Sequence, residues 1–262
     1  MKRFRKFVLG AISACVVTMT PVAANAGLIQ LGFILDSSGS IGAGNWTTIK
    51  NGLSTAVGLI PTSGPDIYEI SVVSFSASAQ SPTALRNVQL TSAADVTGVQ
   101  NAINALAFLN STTNYTAAFT LMDSVLRNTS ANAEKSYVNF ATDGDPNPNN
   151  LDGIAVRNSM ISTATNGYVD NISIEAIGSG ISAGGTTMLM NQICYPTPCT
   201  VLPVENFDAQ GFYIQVADAN AYAAAIQNKV RIITGQEIPE PTSIALAGLA
   251  LLGLGAARRR KA

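Results

Sequence analysis

One apolar run that ends in an acidic, hydroxyl-bearing turn constrains this chain more than any other stretch. Residues 28–35 are mostly apolar, and a helical pattern begins at Asn45. Between them lie Asp36, Ser37, Ser38, Gly39 and Ser40. This order predicts a buried strand, a tight turn and a helix start. Open α/β sheets bind ligands at the carboxyl ends of parallel strands, where the loops diverge. We therefore expect a functional site at this turn.

The residue types in the turn indicate the chemistry of that site. Asp36, Ser38 and Ser40 carry hard oxygen ligands at alternate positions, so their side chains can converge on one point. Such ligands suit magnesium, calcium or manganese rather than zinc or copper. The alternative is a metal-free turn in which Asp36 and Ser38 accept hydrogen bonds from the amides of the next helix.

The pattern Asp-x-Ser-x-Ser after an apolar strand resembles the metal-ion-dependent adhesion site of von Willebrand factor type A domains. In that family, a threonine from a second loop and an aspartate after a later strand complete the site. Residues 110–119 resemble the threonine loop, with Thr113 at the ligand position and Thr112 as the other candidate. Residues 136–142, followed by Asp143, Gly144 and Asp145, resemble the strand that carries the second acid, Asp143.

The resemblance implies a divalent cation at this site, Mg²⁺ first, with Mn²⁺ or Ca²⁺ as alternatives. Asp145 is expected to line the rim of the site rather than to bind metal. The implied ligands are Asp36, Ser38, Ser40, Thr113 and Asp143.

Strand and helix patterns alternate along the chain. Strand patterns cover residues 28–35, 67–76, a short segment near 88, 137–142, 172–177 and 212–216. Helical patterns cover residues 45–60, a segment that Thr91 or Ser92 could cap, 117–127, 151–164, a short segment ending near 194, and 222–233. This alternation predicts an α/β fold with a doubly wound, mostly parallel sheet flanked by helices. The family resemblance implies the Rossmann-like form of that fold. Asn139 lies within a central strand that should be fully apolar.

Charge and composition exclude several functions. Between residues 27 and 235 the chain has seven basic and fourteen acidic residues, which argues against nucleic acid as a partner. Histidine is absent, so a Ser-His-Asp triad, a Cys-His pair and a histidine zinc site are excluded.

Two cysteines remain outside the apolar leader that contains Cys15. Cys194 and Cys199 enclose two prolines, which favours a small loop disulfide formed in an oxidising compartment. A redox-active pair needs the Cys-x-x-Cys spacing, which this segment lacks.

Both ends of the chain have the composition of targeting segments. Residues 1–26 have a basic start, an apolar stretch and a small-x-small sequence, which predicts a signal peptide that signal peptidase removes before Gly27. An uncleaved anchor is the alternative, but the apolar stretch is short for a membrane span.

The C-terminal segment, residues 236–262, combines Pro239-Glu240-Pro241, an apolar run from 244 to 257 and the basic cluster 258–261. It resembles the PEP-CTERM sorting signal of Gram-negative bacteria that produce exopolysaccharide. The resemblance implies export across the inner membrane, a transient anchor through a short transmembrane helix, and processing by an exosortase. A plain tail anchor is the alternative.

Together, the two resemblances imply a cell-surface or extracellular-matrix adhesion protein that is not an enzyme. Its domain, residues 27–235, would engage an acidic group of a protein or polysaccharide through the metal. One alternative is a metal-free structural surface protein. Another is a metal-dependent phosphoester hydrolase, which needs a second acid where Ser38 stands.

Overall fold

The computed structural model describes residues 27–162, 164, 166–197, 199–201 and 211–236. The predicted signal peptide and the predicted sorting and membrane segment lie outside these residues. The strands are β1 (Gly27–Asp36), β2 (Asp66–Phe75), β3 (Ala79–Gln80), β4 (Val88–Leu90), β5 (Ala133–Thr142), β6 (Asn171–Ile177), β7 (Thr200–Val201) and β8 (Phe212–Val216). The helices are α1 (Gly42–Val57), α2 (Ala93–Asn104), α3 (Tyr115–Leu126), α4 (Ile154–Ile161), α5 (Ala183–Met188) and α6 (Ala219–Ile233).

Within the described residues, eight strands form one sheet in the order β3-β2-β1-β5-β6-β8-β7, with β4 also paired to β2. The central pairs β2–β1, β1–β5, β5–β6 and β6–β8 are all parallel. The short strands β3 and β4 run antiparallel to β2 at one edge. The prediction of a doubly wound, mostly parallel sheet is therefore confirmed.

Helices cover both faces of the sheet because their apolar residues recur at helical spacing. On one face, α1, α2 and α6 contribute Leu53, Ile103 and Ile226 to a buried core. On the other face, α3 and α4 contribute Phe119 and Met160 to a second core. The sheet between them is buried on both sides, which explains the nearly continuous apolar runs of its central strands.

Several element boundaries differ from the predictions. The first helix begins at Gly42 rather than Asn45 and ends at Val57 rather than residue 60. Residues 149–151 form a 3₁₀ turn before α4, so the helix predicted for 151–164 is shorter. The last helix begins at Ala219, where the Asp218 side chain accepts hydrogen bonds from two backbone amides. The two-residue strands β3 and β7 were not predicted.

The last described residue, Gln236, lies near the amino-terminal ends of the parallel strands. Asp36 lies at the opposite, carboxyl-terminal ends. The Gln236 side-chain amide donates to the Leu59 carbonyl oxygen at 2.6 Å, just beyond the end of α1. Since α1 starts at the carboxyl end of β1 and runs back along it, Leu59 lies near the start of that strand. The chain therefore leaves the described domain far from the candidate site.

Cys194 and Cys199 are joined by a disulfide, with their Cα atoms 6.2 Å apart. No helix among the described residues is both long enough and apolar enough to cross a bilayer. The membrane helix predicted from residues 244–257 is outside that part of the chain.

Candidate metal centre

The turn after β1 holds Asp36 in a buried position. Asp36 is 1% exposed, and its Oδ1 accepts a hydrogen bond from the Ser38 backbone amide at 2.8 Å. The Ser37 amide and hydroxyl both donate to the Phe75 carbonyl oxygen, which ties the turn to the end of β2. Helix α1 starts only at Gly42, and no side chain caps it. The alternative in which Asp36 and Ser38 satisfy the amides of the next helix is therefore wrong.

A chain of hydroxyl contacts connects this turn to the loop after β5. The Ser38 and Ser40 hydroxyl oxygens are 3.1 Å apart. The Ser40 hydroxyl in turn donates to Asp143 Oδ1 at 2.7 Å. Asp143 follows β5, which is the direct neighbour of β1 in the sheet. The structure thus brings together four predicted residues from two separate loops: Asp36, Ser38, Ser40 and Asp143.

The loop before α3 packs between these two loops. The Asn110 amide donates to the Ser37 carbonyl at 3.0 Å, and the Gly39 amide donates to the Ser111 carbonyl at 2.8 Å. On the other side, the Asn147 amide donates to the Thr113 carbonyl at 2.8 Å. Thr113 is 6% exposed. Thr112 is exposed to solvent, which favours Thr113 over Thr112 as the inward-facing residue.

Three further residues support the site and were not predicted to take part in it. The Thr142 hydroxyl, the last side chain of β5, donates to Asp36 Oδ2 at 2.7 Å. The Tyr115 hydroxyl lies 3.2 Å from that of Thr142 and donates to the Gly144 carbonyl. The Ser76 hydroxyl accepts from the Ser111 amide and donates to the Thr112 carbonyl. The sequence signal that could have identified these three residues is their position at the end of a strand or the start of a helix.

The electrostatics of the site leave its carboxylates without a compensating cation. Burial raises the pKa of Asp36 from 3.8 to about 6, and the nearby Asp143 raises it further, against the lowering effect of hydrogen bonds from Ser38 and Thr142. Burial likewise raises the pKa of Asp143, against the hydrogen bond from Ser40. Among the described residues, no lysine or arginine forms an ion pair with either acid. A bound dication would relieve both penalties.

The donor set fits a hard divalent ion. Two carboxylates and the neutral hydroxyls of Ser38, Ser40 and Thr113 provide the kind of oxygen ligands that Mg²⁺ binds. In the described part of the chain, no three Asp, Glu, His or Cys side chains converge on one point. A ligand set of this kind would be poor in charge, and neutral oxygens would have to complete it.

Asp145 lies at the rim of this region. Its Oδ1 accepts a hydrogen bond from the Ser182 amide at 3.2 Å, before the start of α5. The carboxylate is thus engaged with the loop after β6 and lines a neighbouring hollow of about 370 Å³. A second groove, of about 340 Å³, runs beside the site itself. Its lining includes Ser40, Asp143, Ser179 and Asp218.

Gly180, in the loop after β6, supports the position of Asp143. A Cβ at Gly180 would lie 2.3 Å from the Asp143 carbonyl oxygen, so any larger residue must displace the Asp143 backbone. We expect Gly180→Ala to weaken Mg²⁺ binding by about tenfold, the scale seen when an outer contact of a metal site is lost. Calorimetric titration measures this change.

Gly184 provides the matched control for that prediction. A Cβ there would be 3.6 Å from its nearest neighbour, the Ser182 hydroxyl. Gly184→Ala should therefore leave the affinity unchanged. Equal affinities for the two variants would show that Gly180 does not position Asp143.

The fold and its loops define a class of protein: an α/β domain with acids and hydroxyls gathered at the carboxyl edge of a parallel sheet. The family model of the von Willebrand factor type A domain matches residues 30–216, and the chain belongs to this family. The model of the PEP-CTERM protein-sorting motif matches residues 237–261. No curated protein matches the chain.

Solved structures share the fold at low sequence identity. A von Willebrand factor type A protein from Catenulispora acidiphila is 14% identical over 81% of this chain and 44% of its own, with a TM-score of 0.60. Proximal thread matrix protein 1 from the mussel byssus, with a zinc-occupied MIDAS motif, is 17% identical over 81% and 47%, with a TM-score of 0.55. Two structures of the pilus adhesin SpaC from Lactobacillus rhamnosus GG also match. One is 13% identical over 80% of this chain and 31% of its own. The other, in its open conformation, is 11% identical over 80% and 30%, with a TM-score of 0.56. This chain therefore spans less than half of each of these structures.

Proposed function

We propose that this protein is an exported adhesion or matrix protein that binds an acidic group of its partner through a divalent cation, Mg²⁺ first. The observation that carries the proposal is the hydroxyl chain from Ser38 through Ser40 to Asp143, which gathers hard oxygen ligands. In the part of the chain that the structure describes, neither acid of the site forms an ion pair with a cation. The metal would be held by Asp36, Ser38, Ser40, Thr113 and Asp143. When bound, it would offer an open coordination position to a partner's carboxylate.

The lining of the groove beside the site indicates what would hold an acidic partner there. Ser40, Asp143 and Asp218 all line this groove. No lysine or arginine lines it among the described residues. An acidic partner, either a protein side chain or a uronate of a polysaccharide, would therefore be held by the metal rather than by a basic side chain.

Two further features support export. The sorting motif contains the predicted Pro239-Glu240-Pro241, which an exosortase would process after signal peptidase has removed residues 1–26. The disulfide between Cys194 and Cys199 suits an oxidising compartment. The protein would act at the cell envelope, on the cell surface or in the extracellular matrix, as a binding protein rather than an enzyme.

The test is calorimetric titration of Mg²⁺ and Mn²⁺ into the chelator-treated mature protein. We expect one site in the parent and an affinity at least about 100-fold lower in Asp143→Asn, because one of two charged ligands is lost. Asp145→Asn is the matched control and should bind like the parent. Absence of uptake by the parent at millimolar metal would refute the metal-dependent function and leave a metal-free structural protein.

The partner class is tested next with immobilised polyuronate and with the same polysaccharide after its carboxyl groups are reduced. Binding should require both the metal and the carboxyl groups. Metal uptake without binding to polyuronate would direct the search to carboxylate-bearing proteins.

A further inference from the structure

A second polar cluster is buried on the α6 face of the sheet, away from the candidate metal centre. It consists of Asn139 on β5, Ser173 and Glu175 on β6, and Lys229 on α6, each at most 5% exposed. Asn139 and Ser173 are direct partners in the β5–β6 register. Glu175 is two residues further along and so shares their face. Lys229 approaches the same point from the helix above.

The Glu175 carboxylate connects an amine to an amide in this cluster. Lys229 Nζ donates to Glu175 Oε1 and, at 2.6 Å, to the Ser173 hydroxyl. Asn139 Nδ2 donates to the other carboxylate oxygen, Oε2. Both nitrogens therefore bind one carboxyl group, which brings the lysine amine next to the asparagine side-chain amide. This contact also explains an asparagine in a strand that should be apolar.

Opposing influences act on the charge of Lys229. Its ammonium lies 4.7 Å from the centre of the Phe212 ring, and this cation–π contact favours the charged form. Burial lowers the pKa of Lys229, and the carboxylate of Glu175 opposes this effect without reversing it. A buried ion pair is costly to desolvate, and moving one proton from Lys229 to Glu175 along their hydrogen bond removes both charges. The side-chain oxygen of Asn139, Oδ1, is also buried and has no hydrogen-bond partner in the described part of the chain.

We propose that Lys229 and Asn139 form an intramolecular isopeptide bond promoted by Glu175. The neutral amine attacks Asn139 Cγ, so that a Cγ–Nζ bond forms while the Cγ–Nδ2 bond breaks. Glu175 passes the proton that leaves Nζ to Nδ2, which departs as ammonia, and the carboxyl group ends protonated and uncharged. The reaction needs no oxidant or co-reactant. It replaces a buried ion pair with a neutral amide.

The cluster has free space beside it into which its side chains can move. A cavity of about 10 Å³ adjoins the cluster and is lined in part by Asn139, Ser173 and Lys229. The proposed bond joins the last helix of the domain to its central strand. It does not depend on metal binding or on the adhesive function proposed above.

The intact mass of the purified mature protein, with its disulfide reduced, tests the proposal directly. We expect a mass lower than that of the sequence by one ammonia molecule. Lys229→Arg retains a cation but not the nucleophilic amine, and Glu175→Gln removes the proton carrier. Both variants should have their full sequence mass.

Peptide mapping locates the lost ammonia. Trypsin should not cleave after Lys229 in the parent, and one branched product should contain the segments of Asn139 and Lys229. A full sequence mass in the parent would overturn the proposal. So would loss of ammonia at an Asn-Gly pair, such as Asn166-Gly167, with normal cleavage after Lys229.

Discussion

Replacing Asp36 with asparagine is expected to stabilise the metal-free protein at pH 7 by about 3 kcal/mol and to abolish its stabilisation by Mg²⁺. Burial raises the pKa of Asp36 from 3.8 to about 6, and a shift of about two pKa units corresponds to ~3 kcal/mol. Asparagine has the same shape, and its Oδ1 can still accept from the Ser38 amide. It cannot supply the negative charge that a cation requires.

The raised pKa of Asp36 determines how the stability of the metal-free protein changes with pH. A carboxyl group whose pKa is higher in the folded state binds more protons there than in the unfolded chain. Its contribution is therefore fully favourable below pH 3.8 and is lost as the pH rises through about 6. Urea unfolding in the presence of a chelator should show a free energy of unfolding that falls between pH 4 and about pH 7 in the parent. This slope should be clearly smaller in Asp36→Asn, where only the raised pKa of Asp143 still contributes at this site.

Asp145→Asn is the control for these measurements because it changes a carboxylate at the same edge and leaves Asp36 intact. It should keep both the pH slope and the gain from Mg²⁺, which is about 2.7 kcal/mol when the metal is at 100 times its dissociation constant. An Asp36→Asn protein that is less stable than the parent at neutral pH would contradict the expected cost of the buried charge.

The second large effect is expected at Phe140, whose replacement by alanine should lower the free energy of unfolding by about 3–5 kcal/mol. Phe140 is fully buried. Its ring centre lies 4.7 Å from that of Tyr115, 5.1 Å from that of Phe119 and 5.7 Å from that of Phe75. Truncation leaves a cavity that these rigid rings cannot fill. Urea unfolding at fixed pH measures the loss.

Phe108→Ala is the matched control for the aromatic cluster, because Phe108 is only partly buried against the opposite core. Its loss should be clearly smaller. Similar losses for the two variants would mean that the cluster beneath the site contributes no more than ordinary partial burial.

Much of the fold could be predicted because its elements have strong local patterns. The apolar runs of β1 and β2 and the helical spacing of Trp46, Ile49 and Leu53 follow from burial on a sheet. Strands β3 and β7 have only two residues each, too few for any pattern. The start of α1 was missed because Gly42, with φ of 74°, begins the helix without a capping side chain.

The candidate site was predicted from types of residue near strand ends, and its supporting contacts were not. Thr142 contacts Asp36 across 106 positions of sequence, and Tyr115 reaches Gly144 from the start of α3. Asn139 conflicted with its strand for the same reason. Its partner Glu175 is 36 positions away, and Lys229 lies on α6. Such contacts depend on tertiary structure, which spacing along one segment does not encode.

The exit of the chain at Gln236 bears on how the domain would carry mechanical load. A ligand held at Asp143 and an envelope attachment beyond Gln236 would pull on opposite edges of the sheet. Tension applied to the end of α6 would tend to peel that helix away, one turn after another. The proposed bond at Lys229 would stop this peeling near its start and pass the force into β5. That strand ends at Thr142, directly before Asp143. The pull would therefore run along one strand, where many hydrogen bonds resist together in shear.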